Sequence, residues 1–161
     1  MYKKIIHYSN VLPTLTFNKR NGVINSTLCI HTRSYPYLHA LRDLFYHKVD
    51  NKYVKYISEN LIYYLNQEIL AYWAIDDGTK TRHSGFRLHT NGFTFDKVIK
   101  LELIIHYKFD LFCTIQNANG QLVNNIRVKS IPLFVELVTA YFDKSMYYKL
   151  SKDIKYTHKS K

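Results

Sequence analysis

Cysteine is nearly absent, and the two present, Cys29 and Cys113, stand alone, with no C-x-x-C pair and no histidine at ligand spacing. This excludes a disulfide framework and a zinc module, and leaves buried thiols in a reducing compartment as the expectation. With only 5 glycines there is no Gly-rich phosphate loop, and no G-x-S-x-G elbow or cysteine nucleophile with a positioned histidine occurs. The 8 histidines form neither an H-N-H nor a His-Cys box. No apolar run approaches the roughly 20 residues of a spanning helix, so no membrane partner is expected. Residues 1–10 are basic but lack the apolar core and cleavage site of a secretory signal. Acidic residues are the last shortage: 12 Asp and Glu face 23 Lys and Arg, a formal net charge of +11.

What is there is basic and aromatic. The 161 residues fit one domain or a close pair of half-domains, and 47% hydrophobic residues are enough for a core. The basic excess, with 16% aromatics, suits a polyanion, because Lys and Arg gain affinity by releasing counterions from phosphates. Lys, Asn, Ile, Tyr and Phe are also what an AT-rich genome writes at tolerant positions, so charge alone does not decide.

The chain echoes itself. Residues 28–48 and 124–144 align at one offset through Ile30/Ile126, Ser34/Ser130, Pro36/Pro132, Leu41/Leu137 and Lys48/Lys144. Upstream, Asn21-Gly22 answers Asn119-Gly120. Each copy predicts a strand, an Asn-Gly hairpin, a strand, and a helix opened by Ser-x-Pro. Leu38, Leu41, Leu44 and Phe45 fall on one helical face, as do Phe134, Leu137 and Tyr141, and are expected in the core. Between the hairpins the pattern predicts a helix over 67–77, a strand over 86–90 and an amphipathic helix over 94–107. The first copy starts inside its second helix, so the rest of that half is expected upstream.

The helix over 67–77 ends in Asp76-Asp77-Gly78, the wrong end for anions, because a helix C-terminus carries partial negative charge. A cation there would remove the conflict; an ordinary solvated Asp-Gly turn is the other reading. Leu70-Ala-Tyr-Trp-Ala-Ile-Asp-Asp-Gly78 resembles the LAGLIDADG motif of homing endonucleases and related intron maturases. Leu88-His-Thr-Asn-Gly-Phe-Thr-Phe-Asp96 is similar to the L-x-T-Q-S-F-T-x-E segment of two-motif mitochondrial members, Lys108-Phe-Asp-Leu111 to their K-F-x-L, and Ser145-Met-Tyr-Tyr-Lys-Leu150 to their S-M-x-Y-K-L.

The resemblance implies an α+β chain with the LAGLIDADG homing-endonuclease fold, αββαββα. One complete half would span 66–150, preceded by the remnant of a first half over 1–55 and a linker over 56–65, and followed by a basic tail over 151–161. Curved antiparallel sheets would form a saddle on double-stranded DNA. Asp77 matches the family's metal-binding carboxylate and Asp76 a variable position. Lys149 matches a basic residue near the scissile phosphates, with Lys55, or else Lys52, as its first-half counterpart. Asn91 stands where the family has Gln, and Gly92 where it has Ser. The implied cofactor is a divalent metal, Mg²⁺, held by one Asp from each of two facing helices. Only one such motif is present, so a homodimer or a complementing N-terminal half would supply the second Asp.

On the implied saddle, strand alternation places Phe86, Leu88, Ile115, Ile126 and Val128 inside. It leaves Arg87, His89, Thr114, Gln116, Asn125, Arg127 and Lys129 facing nucleic acid. In the first half Leu15, Phe17, Leu28 and Ile30 point in, and Thr14, Thr16, Asn18, His31 and Arg33 out. The implied function is an intron-encoded, organelle-encoded (mitochondrial) endonuclease cutting duplex DNA. The alternative is a maturase or non-catalytic binder that holds structured intron RNA on the same surface.

Overall fold

In the computed structural model, residues 6–9 and 11–150 are described, and the chain divides into two compact units, Met1–Arg42 and Asp43–Lys161. The basic tail expected over 151–161 lies outside the described residues. In the first unit, strands β1 (Thr14–Arg20) and β2 (Val23–Cys29) pair antiparallel. Asn21 (φ 51°) and Gly22 (φ 80°) turn the hairpin, as the Asn-Gly pair predicts. Leu15, Phe17 and Leu28 share one face by register, yet they are 55%, 65% and 59% exposed, contrary to the expected inward face. The alternation is present, but a two-stranded sheet offers no second layer to bury it.

Helix α1 (Leu38–Asp43) is shorter than its apolar spacing suggests. Leu44 is buried, whereas Leu41 and Phe45 are exposed. The chain then forms a second hairpin, β3 (Tyr46–Val49) and β4 (Lys52–Lys55), turned by Asp50 and Asn51 in the left-handed region. The segment 56–65 is not the linker expected there: Ile57, Leu61 and Leu65 are buried in the main core, and a short helix α2 (Leu61–Tyr64) runs through it.

Asn66 starts the central helix. Its side chain accepts from the Ile69 N–H at 2.9 Å, satisfying one free donor of α3 (Gln67–Asp77), whose bounds match the predicted ones. Leu70, Ala71 and Ala74 are fully buried, and the two alanines let neighbouring elements approach closely. There follow β5 (Gly78–Lys80), β6 (Phe86–His89), α4 (Phe95–Phe109), β7 (Cys113–Ala118), β8 (Gln121–Ile126) and α5 (Ile131–Thr139). This is the αββαββα order. The sheet runs β5-β6-β8-β7, antiparallel throughout.

One sheet face carries Phe86, Leu88, Ile126 and Cys113, all buried with Leu101, Ile105 and Phe109 of α4 and Phe134 of α5. The Phe86 and Phe134 rings lie 4.8 Å apart in a tilted contact, worth about 1 kcal/mol beyond the area it buries. Burial pushes the Cys113 thiol up to about 12, so it is an inert core group, while Cys29 is half-exposed. Ser130 departs from its predicted capping role: its hydroxyl accepts from the Phe112 N–H at 3.0 Å and ties the start of α5 to the strand.

A 3₁₀ turn, Lys144–Lys149, ends the described chain, capped by Asp143, which accepts from the Ser145 N–H (2.9 Å) and hydroxyl (2.7 Å). The Ser145 hydroxyl, then its N–H, hold the Asp143 carboxyl below the usual carboxylate range. A depressed native pKa gives stability that is complete above the unfolded value, near 3.9, and is lost as pH falls through the native one. Asp143→Asn is therefore expected to lose to wild type at pH 6 and to match it more closely below pH 3, as read by thermal unfolding at both pH values.

Candidate active site and nucleic-acid face

Asp77 is the last residue of α3, and its side chain is exposed. The strand beginning at Gly78 turns sharply away, so the carboxylate borders a cleft of ≈ 380 Å³ with Thr79, His89, Tyr148 and Lys149. His89 Nε2 and Thr79 Oγ1 lie 3.3 Å apart on neighbouring strands. Asp77 and His89 also border a second, largely apolar cavity of ≈ 330 Å³, where Trp73, Phe93, Lys55 and Asn91 complete the wall. The four residues expected around the chemistry, Asp77, Lys149, Lys55 and Asn91, thus gather on these two adjoining hollows.

Lys149 is delivered by the 3₁₀ turn, which the buried Leu150 anchors. Its ammonium donates to the main-chain oxygens of Ile75 and Asp76, the latter at 3.5 Å. These are carbonyls left open at a helix C-terminus, where a cation also complements the dipole. Its charge therefore offsets the adjacent Asp76 and Asp77 carboxylates, part of the relief that the sequence demands. Lys149→Met is expected to cost about 2 kcal/mol, the value of a charge-assisted hydrogen bond, and Lys149→Arg less; thermal unfolding checks both.

Lys55 comes from β4 and donates to the Asn91 main-chain oxygen at 2.6 Å, with its ammonium 5.1 Å from the centre of the Phe93 ring. Asn91 therefore presents a carbonyl to this lysine rather than the amide expected of it. Gly92 sits at φ 80°, a conformation that strains any side chain, and a Cβ there would also lie 3.1 Å from the Lys55 ammonium.

On the sheet face away from the helices, Thr79, Arg87, Asn125 and Thr114 form one row across all four strands. His89 and Gln116 flank Val123 in the next row. Arg87, His89, Thr114, Gln116 and Asn125 thus share the face that alternation predicts. Arg127 and Lys129 do not belong to it. β8 ends at Ile126, because the Arg127 N–H goes to the Phe112 carbonyl and residues 128–130 coil into a 3₁₀ turn. Val128, expected in the core, is exposed as a result, and the Lys129 ammonium sits 3.9 Å over the Phe112 ring. His31 and Arg33 likewise lie beyond the end of β2, exposed, with the Arg33 N–H bonded to the Tyr8 carbonyl.

Sequence reasoning passed over the β5–β6 loop. Thr81 and Gly85 close it with two hydrogen bonds (2.9 and 3.0 Å), and Lys80, Arg82 and His83 line a polar hollow of ≈ 440 Å³ with Arg87, Gln116 and Asn125. The available signal was the basic run Lys80-Thr-Arg82-His83 directly after the Asp-Gly pair.

Asp77 offers hard oxygen donors, which suit Mg²⁺. Among the described residues, no three His, Cys, Asp or Glu side chains come together to hold a metal ion; Asp76 and Asp77 are the carboxylates that line this cleft. The profile of the LAGLIDADG DNA endonuclease family matches residues 1–134. The chain belongs to that family. Similar members include intron-encoded endonuclease ai4 of Dictyostelium discoideum, 35% identical over 120 residues, 73% of this chain and 71% of that protein. The probable intron-encoded endonuclease 1 of Wickerhamomyces canadensis is 29% identical over 147 residues, 87% of this chain and 63% of that one.

Maturases are also LAGLIDADG relatives: cytochrome b mRNA maturase bI2 of Saccharomyces cerevisiae is 34% identical over 100 residues, 60% of this chain and 23% of that protein. Among solved structures, the homing endonuclease I-WcaI bound to its DNA recognition sequence superposes with a TM-score of 0.81 at 28% identity, covering 95% of this chain and 70% of that one. The fold is that of a homing endonuclease. No helix among the described residues is long and apolar enough to cross a membrane.

Proposed function

We propose that this chain is the larger part of an intron-encoded homing endonuclease that binds double-stranded DNA and hydrolyses both strands with Mg²⁺, in the mitochondrion. The observation that carries the reading is the exposed Asp77 carboxylate at the end of α3, in a cleft beside the outer sheet face. The DNA-bound homing endonuclease that shares the fold supports duplex DNA as the partner, and the cytochrome b maturase supports the compartment.

Asp77 holds the metal, which when bound supplies Lewis acidity to the phosphate and lowers the pKa of water. Thr79 and His89 stand beside that carboxylate to orient phosphate or water oxygens, while Lys149 fixes the helix end that carries it. A single carboxylate serves one strand. The second comes from a complementing first half whose helix covers Trp73 and the exposed Ile69 at the apolar cavity. The uncovered apolar face of the β1–β2 hairpin supports the same need.

The test is cleavage of a plasmid bearing the intron-free exon junction, with Mg²⁺ or EDTA, by the chain alone and with the complementing half. Metal-dependent linearisation that needs the added half is the expected result. Linearisation by the chain alone points to a homodimer, and none under any condition removes the enzyme reading. A maturase role has one observation in its favour, the similarity to the yeast maturase; tight binding of the intron RNA by a chain that never cuts DNA would establish it.

A further inference from the structure

The same hairpin occurs twice in this chain, once covered and once bare. Superposing the Asn21-Gly22 turn on Asn119-Gly120 lays β1–β2 on β7–β8, with Leu15 on Cys113, Ser26 on Asn124 and Leu28 on Ile126. Cys113, Asn124 and Ile126 are buried, because α4 lies over that face and β6 pairs with β8 from Phe86↔Ile126 to His89↔Val123. In the other copy Leu15, Phe17, Ile24 and Leu28 are all more than half exposed, and no third strand joins the sheet among the described residues. The edge of β2 is as open as the face. A two-residue turn closes on the bonded pair Arg20↔Val23, and bonded pairs then alternate along the ladder. The main-chain groups of Asn25 and Thr27 therefore point at β1, and those of Ile24, Ser26 and Leu28 point away from it. β2 carries no charged residue and no proline, the usual guards of a strand edge.

Resting on the reading above that a complementing half completes the enzyme, we infer how that half docks. It adds a strand antiparallel to β2 along Asn25–Leu28 and lays an amphipathic helix across Leu15, Phe17, Ile24 and Leu28. The register follows from the covered copy, where the matching residues of β8, Val123–Ile126, are the ones that pair with β6. Main-chain bonds to Ser26 and Leu28 hold the strand, and the alternate apolar side chains select its face, the mode of β-strand addition. A helix stripe like Leu101 and Ile105 of α4, which covers the other hairpin, fits the four bare side chains. A second copy of this chain does not supply these parts, since its own β6 and α4 are committed to its own β7–β8.

The test is amide hydrogen exchange, read residue by residue by NMR, on the full chain alone and co-expressed with the part of the Wickerhamomyces canadensis endonuclease that its match to this chain leaves out. The complex is expected to slow exchange about tenfold or more at Ser26 and Leu28, while Asn25 and Thr27, already bonded to β1, change less. Phe17→Glu, at a side chain exposed in the free chain, is expected to weaken association about tenfold or more, and Asn18→Ala, on the polar face, to leave it within about twofold. Unfolding midpoints within a few degrees of wild type confirm folded variants, and the exchange pattern needs no variant. Slowed amides elsewhere, or association that Phe17→Glu does not weaken, overturn the inference and leave the endonuclease reading standing. Failure of the two polypeptides to associate overturns it as well. So does slowing at Ser26 and Leu28 in the chain alone that grows with its concentration, the mark of a second copy. A complex with the expected pattern that never cuts DNA sustains the inference and removes the functional reading.

Discussion

Asp77→Asn is expected to abolish cleavage, by about three orders of magnitude or more, and to leave duplex binding close to wild type. The size follows from what is removed: a metal's charge on the developing alkoxide is worth several kcal/mol, and each 1.36 kcal/mol is about tenfold in rate. The substitution changes little else, because the side chain is exposed and asparagine keeps its shape. Stability moves the other way. An anion at a helix C-terminus opposes the dipole, so neutralising it is expected to add about 0.5 kcal/mol. A variant that is dead and yet more stable marks a residue kept for chemistry. Asp76→Asn, at the adjacent position that the resemblance treats as variable, is expected to gain similar stability and keep its activity. Cleavage rates and thermal midpoints of the two variants, measured side by side, decide the matter.

Gly78→Ala is the most damaging small change expected in the fold. A Cβ at this position would lie 2.2 Å from the Ala74 carbonyl oxygen and 2.5 Å from the Phe86 ring. Neither can yield cheaply, since one is helix backbone and the other packs against Phe134. Overpacking of this kind costs about 3 kcal/mol, which lowers the unfolding midpoint of a chain this size by about 10 °C. The cause is crowding and not backbone strain: φ is −91°, which any residue adopts. An ordinary αL glycine stop at a helix end resists alanine because of its torsion angle; here the space is what is missing. Measured midpoints of Gly78→Ala and Gly78→Ser that fall within 2 °C of wild type would contradict this packing, in which no atom is free to move (about 2–4 °C corresponds to 1 kcal/mol).

The parts of the fold that were legible in the sequence are those where local chemistry and tertiary packing agree. The bounds expected for helix α3, about 67–77, agree with the structure because Asn66 caps it and Gly78 ends it. Both Asn-Gly hairpins were legible because two successive left-handed residues leave few alternatives. The β3–β4 hairpin was not, because Asp50-Asn51 is a weaker turn signal, and Leu41, Leu44 and Phe45 continue a helical stripe across the break. The alternation past Ile126 also misled: nothing local says that Arg127 and Ser130 bond to Phe112 and pull the chain out of the sheet. The inward face of β1–β2 was assigned correctly as a face, but alternation cannot tell whether anything covers it.

The placement of Asp76 and Asp77 at the end of α3 was legible from the chain's Asp-Asp-Gly run, and the motif alone singles out Asp77. What Lys149 does was not, since its partners, the Ile75 and Asp76 carbonyls, are main-chain atoms distant in sequence.

The claim on which the account rests is that Asp77 binds a divalent ion beside bound DNA. Mn²⁺ in place of Mg²⁺ makes that ion visible by electron paramagnetic resonance in the complex of the chain, its complementing half and the duplex. The account predicts that the wild-type complex retains tightly held Mn²⁺ and that Asp77→Asn releases at least part of it. Equal retention by both would contradict the assignment.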